Sequence, residues 1–392
     1  MIFNHGGQTL LVGVSRWPFG YGPALQDAVD FQTQVVVQPS GVVLLDHECQ
    51  RSLAPRFAWR RFASPREVPL LCISPKLRHP IIIIAVEDER EKGGKLTHVI
   101  LGISAWADEG LLKSGFYPPE VKTPAGRLNY YASRFALAEI DSTYHSFATA
   151  RSVAAWLENT PEGFQFNIKA FSMFTQHPTR YQSLPRGFRE AYQGRFEAKA
   201  SLYAHHLPED ALDDLWRGFA RTATELRTAG KLGALLFQFP PWFHPSPANY
   251  EYIASCRKRL PEFPIAVEFR VGSWLSQQHL ADTLGVLKEN GMTLVCVDEP
   301  QGLKTSVPPV VEATAPLAIV RFHGRNKETW ESQNAIPDGK FDYLYTTEEL
   351  LEWVPKIKEL AKRSETVQVI FKNKHADNPV RNASEMRGLL GL

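Results

Sequence analysis

The chain has 392 residues, 44% hydrophobic and 22% charged, with a formal net charge of +2 at neutral pH. It is long enough for one large domain plus an appendage, and too close to neutral for bulk electrostatic attraction to nucleic acid or a membrane surface. Cys49, Cys72, Cys256 and Cys296 show no CxxC spacing and are too scattered for a disulfide framework. The longest apolar run, residues 81–86, falls far short of the roughly 20 residues of a spanning helix. The start, MIFNHGGQT, lacks the basic stretch and cleavage site of a signal peptide, so the expected location is the cytoplasm, with no membrane partner.

Residues 1–97 read differently from the rest. Short apolar pieces (9–14, 34–37, 42–45 and 81–86) are broken by Pro and Gly, with Arg51, Arg56, Arg60, Arg61 and Arg66 between them. No helical period runs beyond two turns, so an irregular or disordered N-terminal extension is expected. It holds eleven Lys/Arg and nine Asp/Glu, which leaves thirty-three of each sign in residues 98–392. A basic nucleic-acid arm is the sharper alternative; solvated arginines are the ordinary one.

From residue 99 the pattern becomes strand, loop, helix, repeated. Strands are expected at 99–104, 137–141, 164–170, 232–239, 265–270, 293–298, 317–323 and 366–371. Leu128, Tyr131, Ala132 and Phe135 recur at helical spacing, as do Val153, Trp156 and Leu157 before the stop at Thr160-Pro161. The clearest helix carries Leu212, Leu215, Trp216, Phe219, Ala220, Ala223 and Leu226, with Gly230 as its C-terminal cap. Ser246-Pro247 opens the next, and Leu280, Leu284 and Leu287 mark another. Residues 299–316 look irregular. Thr346 and Glu349 form a capping box whose helix meets Pro355, where a kink or break is expected, and Asn378-Pro379 starts the last helix with Asn as cap. Eight short apolar strands alternating with helices indicate an α/β fold, a (β/α)8 TIM-like barrel over residues 98–392. No GxGxxG follows the first strand, which weakens a dinucleotide-binding sheet.

In such a barrel each strand alternates between interior and helix-facing positions, and sites lie at the C-terminal mouth. The stretch 134–145, RFALAEIDSTYH, sets the theme: Ala138 and Ile140 face one side, Glu139 and Asp141 the other. The same parity collects Asn167 and Lys169, Gln238, Glu268 and Arg270, Asp298, Arg321 and His323, with Asn373 just past the eighth strand. Four negative and three positive charges on one interior cost several kcal/mol each unless they pair or meet water and ligand. The bland reading is an ion-pair network plugging the barrel. The functional one is a ligand site, walled by Trp106, Tyr144, Trp274 and Trp330 from the loops.

These residues also resemble a family. GISAW (102–106), GFYP (115–118), EIDSTYH (139–145), WLENTP (156–161), FQFNIKA (164–170), QFPP (238–241), VEFRVGSW (267–274), VRFHGRN (320–326) and F-x-N followed by RNA (371–373, 381–383) resemble the YecE-like family, the domain of unknown function 72. The resemblance implies a TIM-like barrel and an uncharacterised function. Lys372 departs from the family pattern, which usually places phenylalanine and asparagines there, and the 97-residue extension has no counterpart in it.

Other chemistry finds less support. His323, His177 and His375 with Glu139, Asp141, Glu268 and Asp298 are the available metal ligands, but no HxH or HExxH spacing joins them; no cofactor is expected, and a divalent metal is the exception to watch. A glycosidase pair of Glu139 and Glu268 would have Lys169 and Arg270 holding both carboxyls ionised, against the raised pKa a general acid needs. There is no GxSxG. Lys169, Arg270 and Arg321 suit a phosphate or carboxylate. An insertion at 171–207 adds Arg180, Arg186, Arg189, Arg195 and Lys199, interleaved with Tyr181, Phe188, Tyr192 and Phe196. That is a surface for nucleic acid or, more ordinarily, a solvated flap.

The expectation is therefore an enzyme doing acid–base or hydrolytic chemistry on an anionic substrate. Glu139 or Glu268 would serve as base and His323 as proton donor, with Trp106, Asp141, Tyr144, Lys169, Arg270, Trp274, Asp298, Arg321 and Asn373 binding substrate. The alternative is a non-catalytic binder of a nucleotide-like or nucleic-acid ligand. The expected partner is a small-molecule or phosphate-containing ligand; the oligomeric state is not readable from the sequence.

Overall fold

The computed structural model describes residues 98–392, apart from 197–200 and 333–338, and seven short strands within residues 1–97. The chain divides into two compact units, Met1–Lys95 and Leu96–Leu392. In the first, Ile2–His5 and Gln8–Leu11 form an antiparallel pair, and Val36–Val37, Val43–Leu45, Ile81–Ala85, Leu70–Ile73 and Trp59–Arg60 lie in that order in a five-stranded sheet. These pieces are two to five residues long, in keeping with an extension that lacks the long periodic elements of the rest. Most of the arginine-rich stretch 51–66 lies outside the described residues.

The second unit is a closed barrel of eight parallel strands in chain order: β1 (His98–Ser104), β2 (Leu137–Ile140), β3 (Gln165–Lys169), β4 (Leu232–Gln238), β5 (Ile265–Glu268), β6 (Thr293–Asp298), β7 (Leu317–Phe322) and β8 (Thr366–Phe371). Each strand pairs with the next, and β8 closes the ring on β1 through six partners from Thr366↔His98 to Phe371↔Ile103. The strands stand where the apolar runs place them, trimmed by a residue or two at their ends. Helices follow the expected punctuation. Ser246 caps Pro247–Arg259 by accepting from the Asn249 amide, and Glu209–Thr228 ends just before Gly230, whose φ of 68° only glycine adopts without strain. The Thr346 capping box forms, and Pro355 divides the following segment into Thr347–Leu351 and Val354–Arg363, where proline occupies a first-turn position that needs no amide hydrogen. No helix joins β6 to β7. One expectation is off by a residue: the cap of the last helix, Asn378–Leu390, is Asp377 rather than Asn378.

Burial follows the two-sided rule for parallel strands. Outside the barrel wall, Phe164, Phe166, Phe237, Phe239, Phe269 and Phe322 pack under the helices. Inside, the lower barrel is filled by a polar chain in which Asn167 donates to Gln368 (2.7 Å) and Gln368 to Gln165 (2.8 Å). No helix among the described residues is long and apolar enough to cross a membrane.

Candidate active site at the barrel mouth

Above that polar layer sits an ion triad. Arg321 of β7 reaches across the interior to Glu139 of β2, with Nη2 to Oε1 at 2.5 Å, and to Glu268 of β5 through Nη1. All three side chains are fully buried. Burial opposes the charge on Glu268, but the Arg321 guanidinium outweighs it and holds the carboxyl well below the usual range; the two carboxylates likewise raise Arg321 against its own burial. Held ionised against Arg321, Glu268 does not trade protons cheaply, and the triad forms the floor of the candidate site.

The layer above opens to solvent. Asp141, just past β2, takes a hydrogen bond from Ser104 Oγ at 2.9 Å and faces three ammonium groups: Lys372 at 3.3 Å, Lys374 at 3.5 Å and Lys169 at 3.9 Å. Burial resists its charge, yet Lys372, Lys169 and Lys374 together hold its carboxyl well below the ordinary range. The lysines respond oppositely. Burial lowers Lys169, and burial with the nearby Lys169 and Arg321 charges brings Lys372 down to about 7 against the pull of Asp141. Lys169 also lies 4.8 Å above the Tyr144 ring, which stands edge-on to His177, itself against the exposed Trp242.

On the other side of the mouth, Arg270 bonds Glu268 at 3.3 Å and Glu299 at 3.2 Å and lies 5.0 Å over the Trp330 ring. Glu299 accepts the Val307 amide at 2.8 Å, and burial pushes its carboxyl up to about 7. His323 places Nε2 3.1 Å from Glu268 but out of hydrogen-bond alignment, and neither ring nitrogen has a hydrogen-bond partner among the described residues. Burial takes this imidazole down to about 3, so near neutral pH it is uncharged. So low a value leaves no imidazolium to donate a proton near neutral pH and makes the ring a weak base, which disfavours the proton-donor role expected for it.

The structure brings together Glu139, Asp141, Tyr144, Lys169, Glu268, Arg270, Arg321 and His323, with Trp330 as a wall. Four others stand elsewhere. Asp298 pairs in register with the helix-facing Phe322 and serves the outer layer, accepting from Tyr345 (2.7 Å), Trp353 (2.6 Å) and Arg325 (2.7 Å). Asn373 donates to the Tyr343 carbonyl and to Asn382, tying the loop after β7 to the last helix. Trp274 is fully buried among Phe243 and Phe269, and Trp106 packs on the helix-facing Phe166. In the insertion, Phe188, Tyr192 and Phe196 are buried, so these rings do not offer the stacking surface that a nucleic-acid strand would use. Glu299, Lys372 and Lys374 were missed as site residues. Lys372 was visible only as a departure from a motif, and Glu299 and Lys374 lie past strand ends. Among the described residues no group of three or more His, Cys, Asp or Glu converges as metal ligands do.

Fold and site together define a (β/α)8 barrel protein with a cluster of paired acidic and basic side chains at its C-terminal mouth. The chain belongs to the DUF72 family of proteins of unknown function, whose model matches residues 100–392. It is 31% identical over 302 residues to the UPF0759 protein YunF of Bacillus subtilis, covering 75% of this chain and 95% of that protein. A crystal structure of a DUF72 protein from Enterococcus faecalis superposes with a TM-score of 0.62 at 27% identity, over 75% of this chain and 96% of that one. Another, from Thermotoga maritima, gives 0.59 at 28% identity, over 75% and 100%.

Proposed function

We propose that the mouth binds a small phosphate- or carboxylate-bearing substrate and that the protein is an enzyme performing acid–base or hydrolytic chemistry on it. The observation that supports this is the grouping of three ammonium groups on the single carboxylate of Asp141. A second carboxylate, Asp108, stands 3.9 Å from Lys374, so three lysines meet two carboxylates, and an anion placed among them gains charge-assisted hydrogen bonds. Arg270 adds a further cation at the rim, and Tyr144 and Trp330 supply flat apolar faces on either side. Proton transfer then falls to Glu299, whose carboxyl titrates near neutrality and acts on the lysine cluster through Arg270.

Calorimetric titration with inorganic phosphate tests the binding half. Wild type binds, and Lys374→Gln weakens binding by about tenfold, as loss of one charge-assisted contact does. Absence of phosphate and carboxylate binding overturns the reading. A panel of phosphoesters, lactones and glycosides tests the catalytic half: turnover that disappears in Asp141→Asn supports an enzyme, and binding without any turnover favours the non-catalytic binder of a nucleotide-like ligand.

A further inference from the structure

We propose that Lys372 is an amine nucleophile that forms an imine with an aldehyde or keto group carried on an anionic ligand, with Lys169 and Lys374 holding the anion. The inference rests on the anion-binding reading of the same pocket and narrows it to a carbonyl-bearing anion.

The position of Lys372 is fixed by the sheet. Its amide donates to the Phe322 carbonyl at 2.8 Å, continuing the β7–β8 ladder one residue past β8, so its Cα stays at the rim. The side chain runs over the Phe341 ring, with Nζ 5.7 Å from its centroid, and ends 3.3 Å from Asp141. Of the three lysines around that carboxylate it is the most enclosed, at 7% side-chain exposure against 13% for Lys169 and 16% for Lys374. With two carboxylates, Asp141 and Asp108, among three ammonium groups, the least hydrated is the easiest to discharge, because it gives up the smallest hydration energy and relieves repulsion from two neighbours. Its titration near 7 agrees with that placement. A lysine that is partly unprotonated at neutral pH is the form that attacks carbonyl carbon.

The step balances on groups present and solvent. The Lys372 ammonium first releases a proton to solvent, and the freed nitrogen pair attacks the carbonyl carbon. A C–N bond forms while the C=O π pair moves to oxygen, which takes a proton from the Lys374 ammonium. The Lys374 amine then takes a proton from the carbinolamine N–H2+, which restores the nitrogen pair. The hydroxyl takes that proton back from Lys374 and leaves as water as the nitrogen pair closes C=N. The iminium keeps one N–H, Lys374 regains a proton from solvent, Asp141 stays ionised throughout, and one water is lost overall.

The full chain is treated with glyoxylate, a small carboxylate-bearing aldehyde, and sodium cyanoborohydride as hydride source, and the adduct is located by peptide mass spectrometry. The expected result is reductive labelling of Lys372 about tenfold or more faster than of exposed lysines such as Lys113 near neutral pH, and slowed by inorganic phosphate. Lys372→Arg abolishes the fast label, while exposed lysines such as Lys113 are labelled as in wild type. Labelling of Lys372 no faster than Lys113, in a protein that binds phosphate, overturns the imine inference and leaves the anion site standing. Fast labelling of Lys372 by uncharged propanal together with no phosphate binding keeps the nucleophile and overturns the anion reading.

Discussion

Glu299 is a buried carboxyl with both oxygens occupied, one by the Val307 amide and one by Arg270. Its folded value of about 7 stands above the ordinary 4.5. Between those two values the folded protein keeps a proton that the unfolded chain has already lost, so this group lowers stability as pH rises from about 4.5 to about 7, with no further change above. Glu299→Gln removes the dependence. Urea midpoints taken across that range should show wild type losing roughly 3 kcal/mol relative to the variant; parallel curves would exclude Glu299 as the titrating group. Lys372, lowered from 10.5 to about 7, acts in the next window with the opposite sign: there the unfolded chain binds the extra proton and stability rises with pH. The neighbouring Asp298 shows why residue-scale reading of the sequence stopped where it did. The run Thr293–Asp298 is buried on both faces, so apolar content gives no parity, and the acid at its end was assigned inward when its partner across the ladder, Phe322, faces the helices. Glu299, one residue on, takes the inward place. For β2, where Ala138 and Ile140 alternate with Glu139 and Asp141, the two-residue period was visible and the assignment of the acids follows it.

At the level of elements, the strands carried their own evidence in apolar runs of four to seven residues between turn signals, and the helices in caps such as Ser246 and Thr346. What the sequence did not display is how loops fold back on the wall. Asp298 anchors one such return by accepting from Arg325, Tyr345 and Trp353, the last two fully buried. Replacing it with Ala strands the buried Tyr345 and Trp353 donors, while Arg325 keeps Glu352 at 2.8 Å, so Asp298→Ala should cost roughly 2–4 kcal/mol in chemical denaturation. A loss below about 1 kcal/mol would show that water replaces these bonds. The junction of β1 and β2 is stricter still. A Cβ built on Gly102 would stand 1.9 Å from the Leu137 carbonyl oxygen, its partner across the ladder, and backbone cannot step aside as a side chain can. Gly102→Ala should therefore lower stability by about 3 kcal/mol or more, read as a falling Tm, because the strand pair that closes the barrel at this point has to part.

The barrel is complete within residues 98–392, since β1 pairs on one side with β2 and on the other with β8, and no strand of the ring comes from residues 1–97. Its interior layers, from the Gln165–Gln368 chain through the Arg321 triad to the lysines at the mouth, are likewise supplied by that unit alone. The relatives carry the same implication: three quarters of this chain accounts for 95% of YunF and 100% of the Thermotoga maritima protein, so in them the barrel makes up essentially the whole match. A closed sheet with its own core and no unpaired edge meets the requirements of an independent folding unit. A fragment spanning residues 98–392 should accordingly be obtained in folded form, unfold in one cooperative urea transition with near-UV circular dichroism intact beforehand, and bind inorganic phosphate within about twofold of the full chain. If the fragment folds but loses phosphate binding, residues 1–97 complete the site and the charge count at the mouth must be drawn again to include them; if it fails to fold, the ring of eight strands draws part of its stability from the sheets that precede it.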